Sequence, residues 1–385
     1  MNFMYDLVNL LVVLSILFVV LIYLKLDTTK SAILVLHLIA IFILNDVLFP
    51  ASYMSDQFRY VTGTQAIREG NRFNITVGPD LANLIFALTP IPFIASVRSI
   101  SMANFLLFLW IFVFLKRKHL SNNSIDYFIL LYPSFLLYSS LALRDNLIFI
   151  FMFITLYLLL IKRKWVRYIF ILVPLYILKF QNMIIILLTS FVYHFIKGGF
   201  KIKKIILLLF TAILIFYFRN IPIERFTLGQ IFSIETLEAM RFALFTENYG
   251  YNYAFVSQLD YNPVDSYLEF IYVTIKGFVR FSLGPFIWSV NNPFQFIQSI
   301  ENIVIILLII SIAKSKKYFK YTKDKLMYLN FMMLISFSLY GFVIYNLGSA
   351  SRYKFTFVAV YIIFSYYFLS KDKIYKHSLI NKRIN

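Results

Sequence analysis

Arg144 and Asp145 stand side by side in "YSSLALRDNLIFIF" (138–151), near the middle of some thirty-six residues that are otherwise almost wholly apolar. Charged groups in such a setting are costly and mark candidate functional positions. Others recur where apolar runs end: Asp56 and Arg59 in "SDQFRY", Arg68, Lys179 in "KFQN", Arg280 ahead of "GPFIW", and Arg352 and Lys354 in the expected short outer loop "LGSASRYK". Guanidinium groups grip phosphate oxygens in pairs and an ammonium acts as a point charge, so this set suits an anionic headgroup.

The elements that must position these groups are apolar runs. Of the 385 residues 61% are hydrophobic and 14% charged, more apolar surface than a soluble domain can hide. Runs long enough to cross a bilayer fall at 7–25, 32–49, 101–115, 126–143, 146–161, 168–179, 182–196, 204–218, 299–313, 326–345 and 355–370. The expected fold is all-α, one integral membrane domain over 1–385 with about eleven spans. Two long segments, 50–100 with a polar first half and 219–298, are expected to be extracytoplasmic loops containing interfacial helices. Within the second, "SYLEFIYVTIKGFVRFSLGPFIWSV" is amphipathic and too charged to cross, so it is expected to lie in the interface with Trp288 at headgroup depth. Asp46 lies inside the second run.

The net charge of +19 is an orientation signal. Alternate linkers, such as "KRKH", "KRKWVR" and "KSKKYFKYTKDK", collect 24 Lys and Arg against 4 Asp and Glu, while the opposite side is nearly balanced. Basic linkers are expected to face the cytoplasm, placing the N-terminus outside and the C-terminus inside. No removable signal peptide is expected. The basic clusters have no nucleic-acid-binding context. No cysteine and four scattered histidines argue against thiolate chemistry and a metal site, and no phosphate-binding glycine loop or hydrolase elbow occurs.

Two pairs of runs read as hairpins. Residues 126–161 fold back at Arg144–Asp145, which is expected to reach water or headgroups. Residues 168–196 are too short for two full crossings at about 20 residues each, so the arms are thin, tilted or re-entrant, with "KFQN" at the tip and Pro174 able to kink the first arm.

The succession "YPSFLLYSSLALRDNLIFIFMFITLYLLL", "LYILKFQNMIIILL", "FSLGPFIWSVNNPFQFIQSIENIVIILLI" and "SASRYKFTFVAVYIIFSYYFLS" resembles bacterial Wzy-type and EpsG-like polysaccharide polymerases, membrane enzymes similar in architecture to GT-C glycosyltransferases. The resemblance covers roughly 30–370 and picks out Pro133, Arg144, Asp145, Lys179, Pro285, Trp288 and Arg352. Asp56, Arg59 and Tyr60 match the acidic first-loop position of GT-C enzymes. Asp145 stands where glutamate is common, and Lys179 where arginine is common. The resemblance implies transfer of a growing glycan from undecaprenyl diphosphate onto a lipid-linked repeat unit, without sugar nucleotide or other cofactor. Arg144, Arg352, Arg280 and Lys179 would hold diphosphate, with Asp56 first and Asp145 second as base. Flippase and chain-length regulator proteins are the implied partners, besides the lipid-linked glycan and the membrane. Two other readings stay open: a GT-C transferase using a polyprenyl-phosphate sugar, and a flippase or transporter of lipid-linked oligosaccharide.

Overall fold

Twenty-three residues with Asp6 as their sole charge form the first helix, α1 (Asn2–Leu24), about 35 Å long at 1.5 Å per residue. In this computed structural model the described residues are 2–45, 47–48, 56–71, 78–162, 164–197, 222–223, 226–227, 234–249, 263–290, 293–315, 322–345 and 347–384. The run predicted at 204–218 and Asp46 lie outside them. α2 (Thr28–Leu44) starts at Asp27, whose carboxylate accepts from the Lys30 amide at 2.8 Å. Such a cap satisfies an N–H that the first helical turn leaves free. Two helices, α3 (Asp56–Arg68) and α4 (Gly78–Ala87), occupy the first polar segment. α5 (Val97–Arg117) opens with a reciprocal cap between Ser96 and Ser99.

The run 126–143 is not one continuous helix. It is divided into α6 (Asn123–Leu131) and α7 (Pro133–Ser140), because Pro133 has no N–H to continue the ladder and its ring excludes the preceding turn; it begins a new helix instead. α8 (Asp145–Leu156) ends in a π-helical turn, Tyr157–Lys162. α9 (Trp165–Leu178) and α10 (Phe180–Ile196) are linked by Lys179 alone. At about 21 and 25 Å they fall short of a 30 Å hydrocarbon layer. Pro174 lies inside α9.

A ribbon of two antiparallel two-residue strands, β1 (Pro222–Ile223) and β2 (Phe226–Thr227), precedes α11 (Ile234–Tyr249). α12 (Tyr267–Leu283) begins at a Ser266–Glu269 capping box and stops at Gly284–Pro285, a cis peptide, so the predicted amphipathic stretch is a helix followed by a turn. Then come α13 (Pro293–Lys314), α14 (Lys323–Val343) and α15 (Leu347–Ile384). "LGSASRYK" is therefore the start of a helix and not a loop. Six helices among the described residues are long and apolar enough to cross a membrane, and three more are apolar but shorter.

The chain divides into two compact units. The first comprises Met1–Ile184, Leu307–Leu326 and Phe355–Asn385. Its core is aromatic: Phe135 meets Phe149 and Phe355 edge-on at 4.9 and 5.0 Å, and Phe153 stacks on Phe364 at 4.8 Å. At one end, Asp126 of α6 is fully buried against Lys116 of α5 and Lys30 of α2, the latter at 3.4 Å. That ion cluster gathers the start of α2, the end of α5 and the start of α6. At the other end of α5, Ser96 donates to Asp6 at 2.6 Å and Asn9 donates to the Phe93 carbonyl at 2.8 Å. The two ends thus differ: one carries the lysines, the other α3, α4 and the α7–α8 turn.

In the second unit, Ile185–Ile306 with Met327–Lys354, α12 crosses α14 where Gly277 meets Gly341. A Cβ at either would stand 2.3–2.4 Å from the other's carbonyl oxygen, so only glycine permits the approach.

Candidate functional site

The turn that carries Arg144 is built from inside the protein. Three carbonyls there, of Tyr138, Leu141 and Leu143, all accept from the Asn104 side-chain amide of α5 at 2.8–2.9 Å. The Asn146 amide in turn donates to the Asn104 backbone carbonyl at 3.0 Å and to its side-chain oxygen at 3.2 Å. Asn45, at the end of α2, donates to the Ser140 carbonyl at 3.0 Å, and Ser140 donates to the His37 carbonyl at 3.1 Å. Above them Gln57 of α3 accepts from the Ala142 N–H at 2.9 Å. A turn without regular structure can sit among apolar helices only if its backbone groups are satisfied this way.

This overturns one expectation. Of the Arg144–Asp145 tip, Asp145 does not reach open water: it is 2% exposed, and Ser140 through Leu143 are buried too. The cause is the first polar segment, whose α3 and α4 cover the turn. Asp145 occupies the first turn of α8, where unpaired helix N–H groups favour negative charge. Arg144, just before it, is half-buried.

Gly78 is where the parts meet. A Cβ on this residue would lie 2.5 Å from the Arg144 Nη1, 2.6 Å from the Ile177 carbonyl and 3.2 Å from that of Leu178. The first turn of α4, the Arg144 guanidinium and the tip of the α9–α10 hairpin therefore converge on one point. Lys179, half-buried, is the next residue along that tip, and its carbonyl accepts from the Asn182 N–H at 3.0 Å. Asp56 is exposed in the first turn of α3, adjacent to the Gln57 that holds Ala142. Arg59 is exposed one turn further on, whereas Tyr60 is buried edge-on against Phe86 at 6.1 Å. Arg68 ties down the backbone. Its guanidinium donates to the carbonyls of Ala87, Thr89, Ile91 and Pro92 at 2.6–3.2 Å, closing the end of α4. Burial lowers its pKa from the ordinary value.

The remaining candidates belong to the second unit. Arg280, in the last turn of α12, lies 5.8 Å from the Tyr345 ring. Trp288 is 80% exposed and stacks on Phe286 at 4.9 Å. Arg352 is half-buried on α15. Lys354 is buried and donates to the Gly284 carbonyl at 3.2 Å and to the Asn302 side-chain oxygen; Asn302 donates to the same carbonyl at 2.7 Å, and Ser299 donates to that of Pro285 at 2.8 Å. Lys354 thus fastens the "LGPF" turn and is not a loop charge.

Sequence reasoning missed Asn104, Gln57, Gly78 and Arg241. The last is fully buried on α11, donates to the Phe342 carbonyl at 3.2 Å, pairs with Glu238 and stacks on Phe342 at 4.5 Å. An asparagine within an apolar run was the available signal for Asn104; the others needed the fold. No group of three or more metal-ligating residues occurs among the described residues.

No protein family, curated protein or solved structure matches the chain.

Proposed function

We propose that this protein is a membrane glycosyltransferase that polymerises polyprenyl-diphosphate-linked glycan repeat units. In this reading about eleven spans cross the bacterial cytoplasmic membrane, with the basic end of the first unit in the cytoplasm and the Arg144 turn at the outer leaflet. The carrying observation is the convergence on Gly78: a guanidinium, a helix N-terminus and a lysine-bearing hairpin tip surround one point, all at the end opposite the ion cluster. The guanidinium and the nearby lysine are the groups that favour a polyanion, and they suit a departing diphosphate.

The reaction follows from those roles. An acceptor hydroxyl attacks the anomeric carbon, the bond from that carbon to the diphosphate oxygen breaks, and the electron pair leaves with the diphosphate. The hydroxyl proton passes to Asp56, an exposed residue; Asp145, the second candidate, is buried. Arg144 and Lys179 offset the charge that develops on the leaving group. Within the second unit, Arg280, Arg352 and Trp288 are the groups this reading assigns to substrate.

The test is deletion of the gene followed by electrophoresis of surface glycan. Single repeats in place of a ladder support polymerisation. An unchanged ladder defeats it, and complete loss of surface repeats points to a flippase.

A further inference from the structure

The first unit holds an apolar groove of about 460 Å³ that the proposed chemistry does not use. Ile16 and Val20 of α1 form one wall, and Leu106, Leu109, Trp110 and Val113 of α5 the other. Ile85 and the segment Leu88–Pro90 close it. Both wall helices are long and apolar enough to span a membrane. The groove is open on its flank, with Leu88 77% and Trp110 48% exposed. Its size is that of pockets that take a small ligand or one chain of a larger one.

The closing segment also carries a charge. Arg68 is bonded to the carbonyls of Ala87 and Thr89, on either side of Leu88, and no carboxylate among the described residues lies within ion-pair distance of it, neighbouring Glu69 included. A cation so placed at the end of an apolar groove is complementary to an amphiphile with an anionic head. The guanidinium donors are already taken by carbonyls, so Arg68 supplies net charge and not a hydrogen-bonding fork. That fits a singly charged phosphodiester better than a diphosphate, whose oxygens call for donors.

We propose that this groove is a binding site for one acyl chain of an anionic phospholipid whose headgroup lies by Arg68. The proposal is independent of the catalytic reading. Trp110 provides a direct probe, because Trp165→Phe and Trp288→Phe leave it as the sole tryptophan. The purified full chain, carrying those two changes, is reconstituted in phosphatidylcholine and titrated with phosphatidylglycerol brominated on its acyl chains, or with equally brominated phosphatidylcholine. Phosphatidylglycerol should quench Trp110 at a mole fraction lower by about fivefold, which corresponds to about 1 kcal/mol for one basic residue near the surface. Arg68→Lys should keep that preference and Arg68→Gln should lose it. Equal quenching by both lipids, a reading the parent protein gives even if Arg68→Gln fails to fold, overturns the proposal. So does a preference that survives Arg68→Gln, or undecaprenyl phosphate relieving the quenching at lower mole fraction than unbrominated phosphatidylglycerol, which would assign the groove to the carrier lipid.

Discussion

The guanidinium of Arg144 packs against the α-carbon of Gly78, leaving no room for a methyl group: a Cβ there would stand 2.5 Å from Nη1. The Cβ would also stand 2.6 Å from the Ile177 carbonyl oxygen, so both the Arg144 side chain and the backbone at the α9 tip must shift. Gly78→Ala should therefore displace Arg144 at a stability cost of about 1–3 kcal/mol, with transfer slowed on the order of 10²-fold. Glycan ladder length, set against the amount of membrane-inserted protein, measures this. A full ladder from Gly78→Ala would remove Arg144 from the reaction.

Asn104→Leu keeps side-chain volume but strips the Tyr138, Leu141 and Leu143 carbonyls of their shared donor and Asn146 of an acceptor. At about 1–3 kcal/mol for each buried group left unsatisfied, the variant should lose several kcal/mol, read as a lower midpoint of thermal unfolding in detergent. Asn104→Asp should fare no better, since it sets a carboxylate against three carbonyls. Parent-like melting of Asn104→Leu would mean that the turn holds itself.

Arg352 and Lys354 lie two residues apart on α15, yet their replacement should separate function from folding. Arg144→Ala and Arg352→Ala should abolish polymerisation while the protein still inserts normally. Lys354→Met removes donors from Gly284 and Asn302 and should lower stability by about 1–3 kcal/mol. Parallel measurement of ladder and melting temperature distinguishes the two; a full ladder from both arginine variants would exclude those residues from the site.

Asp27 supplies a pH test away from the site. The Lys30 backbone N–H, and then the Lys30 ammonium, hold its carboxyl below the ordinary value of 3.8. A depressed folded pKa means that its stabilising contribution is present above that ordinary value and fades as pH falls through the lower one. Asp27→Asn keeps the cap without the titration. The difference between the two proteins' melting temperatures should therefore hold steady from neutral pH down to about 4 and shrink below it. A difference that stays constant to lower pH would show that Asp27 does not titrate with folding.

Much of the molecule is legible in its residues. Apolar run length located α1, α5 and α13–α15, since a helix long enough to cross a bilayer must be apolar over most of its length. The break at Pro133 was visible as a residue and went unread as a break, because the surrounding apolar run concealed it. "LGSASRYK" reads as a loop because it lies between the apolar runs 326–345 and 355–370, but α15 continues through it, with Ser351 and Lys354 buried among partners that residue type alone does not reveal.

The candidate site divides along the same line. Arg144, Asp145 and Lys179 could be singled out from sequence, because charge is costly wherever apolar residues surround it. That Asp145 is buried, that Asn104 holds the turn from α5, and that Gly78 brings Arg144 to the α9 tip were decided by tertiary structure alone. Hydropathy and charge are properties of each residue and its near neighbours, and they determine which segments are helices and which groups are costly. Contacts such as Asn104 with Leu143, or Gly78 with Ile177, join residues tens of positions apart through packing, and only the folded chain specifies them.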